Sequence, residues 1–307
     1  MRGFDHMGGA SSLRAAGGLR GCLGLGLPAI RSGQIHGRKG RPAMTDDDVP
    51  VRLDDADPAV AVVTLDRPDQ KNAMTLAMWK RLGDVFEDLA GRASLRAVIL
   101  TGAGGAFCAG ADIKEFGEVR ADAASAAAYA EAVHRANEAI LACPKATFAA
   151  VSGPAMGGGC GLALCCDFRI ADETAYFGIP AARLGLVYDL AETGALLAAV
   201  GVAKAKEVLF SAHRYKGEEA LAVGLATHLA PGTEALTDAR ARADALRASA
   251  PLTIAGAKAV LAALTPKPTE AEVAAIRALQ DAAVGSADYA EGVAAFRERR
   301  APVFEGR

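Results

Sequence analysis

Residues 151–167, V-S-G-P-A-M-G-G-G-C-G-L-A-L-C-C-D, constrain this 307-residue chain more than any other stretch. The run opens as a turn on Ser152, Gly153 and Pro154, packs three glycines at 157 to 159, and closes in apolar text that reads as a helix. Consecutive glycines let the backbone take positive φ and let a ligand reach the main chain where any Cβ would stand. A helix start adds free N–H groups and the positive end of the dipole. The stretch is therefore a backbone site for a negative oxygen, whether of a phosphate, a carboxylate or an oxyanion that develops during a reaction.

The text around it sets the fold class. Residues 51–65 alternate and then run apolar, a strand signature, and Asp66, Arg67, Pro68 and Asp69 break it as a turn. From Thr75, an N-cap, the apolar residues Leu76, Met78, Trp79, Leu82, Val85, Phe86 and Leu89 recur at helical spacing. A buried strand at 95–100 leads into a glycine loop at 101–105 and the segment 106–112. An alanine-rich helix over 122–142 follows, and a strand at 147–151 feeds the glycine stretch. Beyond it come strands at 168–171 and 175–178, a loop at 185–189, a helix from near Glu192, short helices at 204–209 and 217–223, and a strand at 226–230. After Pro231 the text is helical, at 236–249, 252–264, 269–284 and 287–300. This rhythm predicts an α/β fold with largely parallel strands. The expected division is an N-terminal extension over 1–46, a core over 47–231 and a helical region over 232–307.

Composition narrows the functional classes. Half the residues are apolar, enough for a sizeable core, and the longest apolar runs are broken by glycine clusters and polar residues, so no membrane span is expected. The first 43 residues carry seven bases against Asp5 alone and show no helical or strand period. They read as disordered, as a transit peptide or as an over-extended start, with little functional weight. The expected location is cytoplasmic, or mitochondrial if the extension is a transit peptide. Without them, 34 bases less 7 and 36 acids less 1 leave a net charge of −8, which does not suggest a nucleic-acid surface. The six cysteines form no C-x-x-C pair and have no histidine at ligand spacing, so reduced, buried thiols and no metal are expected.

Two glycine-rich turns, 102–111 and 153–159, each follow a strand. Neither is a dinucleotide fingerprint, because Phe107 stands where the third glycine belongs, and neither ends as a P-loop in Gly-Lys-Ser/Thr. A G-x-S-x-G nucleophile elbow is absent. What remains is a pair of backbone donors from two turns, the construction of an oxyanion hole.

The motifs also resemble a known family, the crotonase or enoyl-CoA hydratase/isomerase superfamily. The resemblance runs from about Val60 to the C-terminus. It rests on Leu65-Asp66-Arg67-Pro68 with Lys71-Asn72-Ala73, on V-I-L-T-G-A-G-G-A-F-C-A-G-A-D-I-K at 98–114, on G-P-A-M-G-G-G at 153–159, and on E-G-V-A-A-F-R-E-R-R-A-P-V-F at 291–304. It implies a spiral of ββα turns, a C-terminal helical trimerisation region forming a homotrimer or a dimer of trimers, and an acyl-CoA thioester as substrate. No cofactor is implied beyond the coenzyme A of the substrate itself. It further implies that the N–H groups of Ala111 and Gly158 bind the thioester oxygen and stabilise an enolate. Lys71, Ala73, Ala109, Asp112 and Ile113 fall where the family's CoA-binding segments lie.

The resemblance departs at the acids. Hydratases of this family carry one glutamate two residues after the glycine turn and another after a Phe-Gly-x-Pro segment, and this chain has Gly161 and Ala181 there. Water addition needs a group to activate water and one to protonate the α carbon, so isomerase or decarboxylase chemistry is expected as much as hydration. Asp189 stands where dienoyl-CoA isomerases and chlorobenzoyl-CoA dehalogenases of the family carry an aspartate. Tyr188 stands where a methylmalonyl-CoA decarboxylase carries a tyrosine. Asp189 is expected to act as acid, base or nucleophile, against the alternative that it caps the next helix with help from Glu192. The competing class is a CoA-ester-binding or assembly protein without turnover.

Overall fold

The computed structural model of the chain describes residues 49–119, 122–265 and 268–306. The expected N-terminal extension and Cys22 lie outside the described residues. In chain order the elements are β1 Val51–Asp54, β2 Val60–Leu65, α1 Leu76–Gly91, β3 Ala97–Gly102, α2 Phe116–Val119, α3 Ala123–Leu141, β4 Ala146–Val151, β5 Pro154–Met156, α4 Gly158–Cys165, β6 Phe168–Ala171, β7 Tyr176–Gly178 and α5 Ala181–Leu184. They continue with α6 Leu190–Ser211, β8 Tyr215–Lys216, α7 Gly217–Val223, β9 His228–Leu229, α8 Ala235–Ala245, α9 Pro251–Leu264, α10 Glu270–Val284 and α11 Ala287–Glu298.

One sheet runs β1-β2-β3-β4-β6-β9, and a small one runs β5-β7-β8. Every pair in the large sheet is parallel except β1 with β2. After β4 the chain adds β5 to the small sheet and then forms α4. After β6 it adds β7 and then forms α5. Each coil of the chain is thus a strand, a second strand and a helix, the ββα spiral that the motifs imply.

The central strands are apolar throughout because both faces are covered. Ala61, Val63, Val98, Leu100, Ala149 and Val151 face a core built with Trp79, Leu82 and Phe86 of α1 and Ala136 and Ile140 of α3. The alternate residues Val60, Val62, Ile99, Phe148, Ala150 and Ile170 face Ala235, Ala239 and Ala243 of α8. Alanine every fourth residue gives α8 a smooth stripe that sits close on the sheet. The first helix beyond Pro231 therefore shares a core with the strands. α9 is tied down by a different contact: Lys258 Nζ donates to Asp167 Oδ2 at 2.7 Å, and the same oxygen accepts from Thr147 N at 2.8 Å and Thr147 Oγ1 at 3.0 Å.

Three local readings change. The strand expected over 51–65 is two antiparallel strands, because Asp54 and Asp57 accept from Ala56 N and Ala59 N and fold the intervening residues into a turn. The separate helix expected at 204–209 stands but is longer: α6 is broken at Gly201, whose φ of 74° and ψ of 165° are not helical, and a second helical segment runs from there to Ser211. The short strands β5 and β8 carry too few residues for any period to show.

Candidate active site

The two glycine turns meet. β3 ends at Gly102, where a Cβ would stand 2.0 Å from Ala106 O and 2.2 Å from Phe107 O, so only glycine permits so tight a reversal. Asn72 braces the loop from inside: fully buried, it accepts from Arg67 N through Oδ1 and donates through Nδ2 to Ala103 O and Ala106 O. The chain leaving the loop is then clamped on both sides. Phe107 N donates to Ser152 O, Cys108 N to Pro154 O, and Met156 N back to Cys108 O. On the other flank Ala109 N donates to Lys71 O, Met74 N to Gly110 O, and Asp112 N to Met74 O.

That pairing fixes the direction of one N–H. Met74 uses the oxygen of Gly110 and the N–H of Asp112, so the N–H of Ala111 between them points away from Met74. Gly158 is the first residue of α4 after an N-cap, Gly157, at φ 56°, and its N–H has no place in the helix ladder. Neither N–H has a protein acceptor among the described residues. The two turns come close here, since a Cβ on Gly110, the residue before Ala111, would lie 3.6 Å from Gly158 N. A further close approach holds the turns together: a Cβ on Gly159 would stand 2.3 Å from Cys108 O. Gly159→Ala is expected to cost more than the roughly 1–3 kcal/mol of ordinary overpacking, because the clash is with backbone. Gly91→Ala, at a helix end with open space, should be close to neutral. Thermal melting of the two variants checks this, and equal melting temperatures would contradict it.

The ring of Trp79 walls the site, with Cζ2 3.2 Å from where a Gly158 Cβ would be, and its Nε1 donates to Tyr129 Oη at 3.1 Å. The Tyr188 hydroxyl lies 3.2 Å from where a Gly157 Cβ would be. Burial, then the charge of Glu192, pushes this phenol well above its ordinary range, so it is a neutral O–H. Asp189 is the N-cap of α6, where its Oδ1 accepts from Ala191 N at 2.7 Å and lies 3.6 Å from His134 Nδ1.

Glu192, which the sequence reading gave only a helping part in that cap, occupies the centre. It sits in the first turn of α6, is 5% exposed, and its Oε1 is buried without a hydrogen-bond partner. A Cβ on Gly161 would stand 2.5 Å from that oxygen, and one on Gly158 would stand 3.7 Å from it. Burial first, and the charge of Asp189 second, push its carboxyl up to about 7. Asn137 of α3, fully buried, lies beside it and pulls weakly the other way, yet neither of its amide atoms reaches hydrogen-bond geometry with any partner. Only the isolation of one acid among apolar residues, L-A-E-T-G-A-L-L, marks Glu192 in the sequence. The glycine at 161 that leaves room for it marks nothing by itself.

The remaining sequence-derived residues line up along the same ribbon. Lys71 is exposed, with left-handed φ, and its carbonyl accepts from Ala109 N, which brings 71–74 beside 109–112. The carbonyl of Ala73 accepts from Arg67 Nη1, and that of Ile113 from Arg297 Nη2. Asp112 is 7% exposed and paired with Arg67 Nη1 at 2.7 Å, so its side chain secures the ribbon. Ala181 is buried at the start of α5. The five described cysteines are buried and free, and burial pushes the thiols of Cys108, Cys160 and Cys166 up to about 12. They are not nucleophiles at neutral pH. Among the described residues no cluster of His, Cys, Asp or Glu is suited to hold a metal ion, and no helix is long and apolar enough to cross a membrane. A cavity of about 470 Å³ at the C-terminal ends of β2, β3 and β4 is a different place, lined by Thr64, Thr101, Ser152, Asp172 and Thr174, where Ser152 and Thr174 both donate to the Asp172 carboxylate and Thr101 donates to Ala150 O.

Comparison with known proteins places the chain in a family. Residues 55–307 match the enoyl-CoA hydratase/isomerase family. A probable enoyl-CoA hydratase of Mycobacterium bovis is 35% identical over 83% of this chain and 98% of its own length. Among solved structures, an enoyl-CoA hydratase from Mycobacterium avium subsp. paratuberculosis superposes with a TM-score of 0.73 at 29% identity, covering 83% of this chain and 98% of that one. A methylmalonyl-CoA decarboxylase does so with a TM-score of 0.72 at 28% identity, covering 84% and 98%. With motifs, spiral and relatives in agreement over most of its length, the chain belongs to the enoyl-CoA hydratase/isomerase family, the crotonase superfamily, and is an enzyme of that family.

Proposed function

We propose that the protein binds an acyl-CoA thioester with its carbonyl oxygen between the N–H groups of Ala111 and Gly158, and stabilises the enolate formed when a proton leaves the α carbon. The observation that carries this is the pair of unpartnered N–H groups, one from each of two glycine turns that come close. They are held by backbone pairing and a helix start, so they need no rearrangement when charge develops on the oxygen. CoA itself lies along the ribbon of Lys71, Ala73, Ala109, Asp112 and Ile113, where the exposed Lys71 is free to meet a phosphate.

Of the reactions open to such an enolate, shift of a carbon–carbon double bond fits best. Hydration asks for two proton-moving groups, and Gly161 and Ala181 supply neither. Isomerisation asks for one group that takes a proton from the α carbon and returns it at the γ carbon. We further propose that the protein self-associates through its C-terminal helices, where Leu252, Leu261 and Leu264 of α9 are 87%, 66% and 75% exposed. Incubation with trans-3-hexenoyl-CoA should yield the conjugated 2-enoyl thioester, read by its ultraviolet absorbance. Accumulation of the 3-hydroxy product from 2-hexenoyl-CoA, with no isomerisation, would instead assign hydration.

A further inference from the structure

We infer that Glu192 is the acid–base group of this site, reaching from α6 into the space that Gly161 leaves open on α4. The inference rests on the enolate reading above and names the group that moves its proton.

Four observations converge on this side chain. Its Oε1 is buried and unpartnered, which is costly to maintain unless the oxygen has another use. It lies against the first turn of α4, beside the residue whose N–H is to hold the thioester oxygen. Gly161 opposite it cannot carry any side chain without displacing it, so the two positions act as one unit. Finally, its carboxyl is raised to about 7, where both protonation states are available near neutral pH.

Asp189 takes a different part. Its Oδ1 is committed to the N-cap of α6, and its charge acts on Glu192 from the preceding turn. The other titratable groups that interact with Glu192 are the neutral Tyr188 hydroxyl, Cys160 and Cys165 from α4, and Cys108 from the clamped ribbon, while Tyr129 acts on Tyr188 and His134 of α3 lies beside Asp189. The buried thiols and the phenol of Tyr188 stay protonated, so Asp189 is the neighbouring charge that matters.

The step balances without a co-reactant. The Glu192 carboxylate takes a proton from the α carbon of a 3-enoyl thioester, and the C–H electron pair moves through the carbonyl onto oxygen. The resulting dienolate is held by the two N–H groups. Glu192, now a carboxylic acid, returns the proton to the γ carbon as the double bond settles between the α and β carbons.

The test is deuterium wash-in at the α carbon of butyryl-CoA in deuterated buffer, across pH, for the wild type, Glu192→Gln and Asp189→Asn. The wild-type rate should rise with pH and level off above about 7. Glu192→Gln should lose at least about 100-fold at all pH values, with butyryl-CoA affinity kept. Asp189→Asn preserves the cap, since asparagine caps as well as aspartate, so it should keep its plateau rate within about tenfold. Its rise should move to lower pH, because a negative neighbour has been removed. Unchanged exchange in Glu192→Gln, or a loss confined to Asp189→Asn, overturns the assignment to Glu192 and leaves the enolate reading standing. A wild type that binds butyryl-CoA and exchanges nothing overturns both.

Discussion

Gly158→Pro is expected to slow α-proton exchange by about 10²–10³-fold, the effect of losing one oxyanion donor worth roughly 2.7–4 kcal/mol. Proline replaces the N–H with its ring Cδ and costs no ladder bond, because residue 158 is the first of α4, a position where proline's fixed φ suits the helix. Any side chain at 158 must press on Trp79, whose Cζ2 would be 3.2 Å from the new Cβ. Gly158→Ala controls for that contact: it adds the Cβ and keeps the donor. A modest loss is expected for alanine and a much larger one for proline, in kcat more than in KM. Equal losses would show that crowding of Trp79, and not the donor, sets the rate.

The second large effect is on stability, and it runs against activity. Glu192→Gln should stabilise the protein at alkaline pH. The carboxyl is raised from 4.5 to about 7 in the folded protein by burial and by Asp189. Its favourable contribution is therefore complete below the unfolded value and is lost as pH climbs through about 7. A shift of that size corresponds to roughly 3 kcal/mol at 1.36 kcal/mol per unit. A neutral glutamine escapes the cost of charging, less whatever its own unpaired amide loses by burial. The wild-type melting temperature should fall between about pH 4.5 and pH 7 more steeply than that of Glu192→Gln and then run parallel to it, so that the variant is the more stable at pH 8. Curves parallel throughout would mean that Glu192 titrates as an ordinary surface acid.

Most of the architecture was legible in the sequence because it rests on local rules. Short continuous apolar runs became the central strands, Thr75 capped α1 by accepting from Met78 N, and both glycine turns sit where their motifs place them. Contacts between distant residues were not legible. Nothing in the text states that Asn72 reaches the loop at 103–106, or that Asp112 is consumed by Arg67. The group proposed to move the proton shows the same divide. Asp189 stood out because it matches a familiar position, and its weighed alternative, a helix cap, describes the bond that it makes to Ala191 N. Glu192 is three residues further on, on the face of α6 that turns towards α4, and its importance depends on the missing side chain of Gly161 across a helix–helix contact. A substitution to glycine in one helix and an acid in another are separate facts in a sequence and one fact in a structure.

All of this chemistry depends on a thioester oxygen bound between the N–H groups of Ala111 and Gly158, as proposed. Infrared difference spectroscopy of butyryl-CoA labelled with carbon-13 at the carbonyl tests it without requiring turnover. The bound carbonyl stretch should move to lower frequency, Gly158→Ala should keep most of the shift, and Gly158→Pro should lose about half of the polarisation expected from two equal donors. A carbonyl that binds with measured affinity and keeps its free-ligand frequency would contradict the account and leave a CoA-ester-binding protein without enolate chemistry.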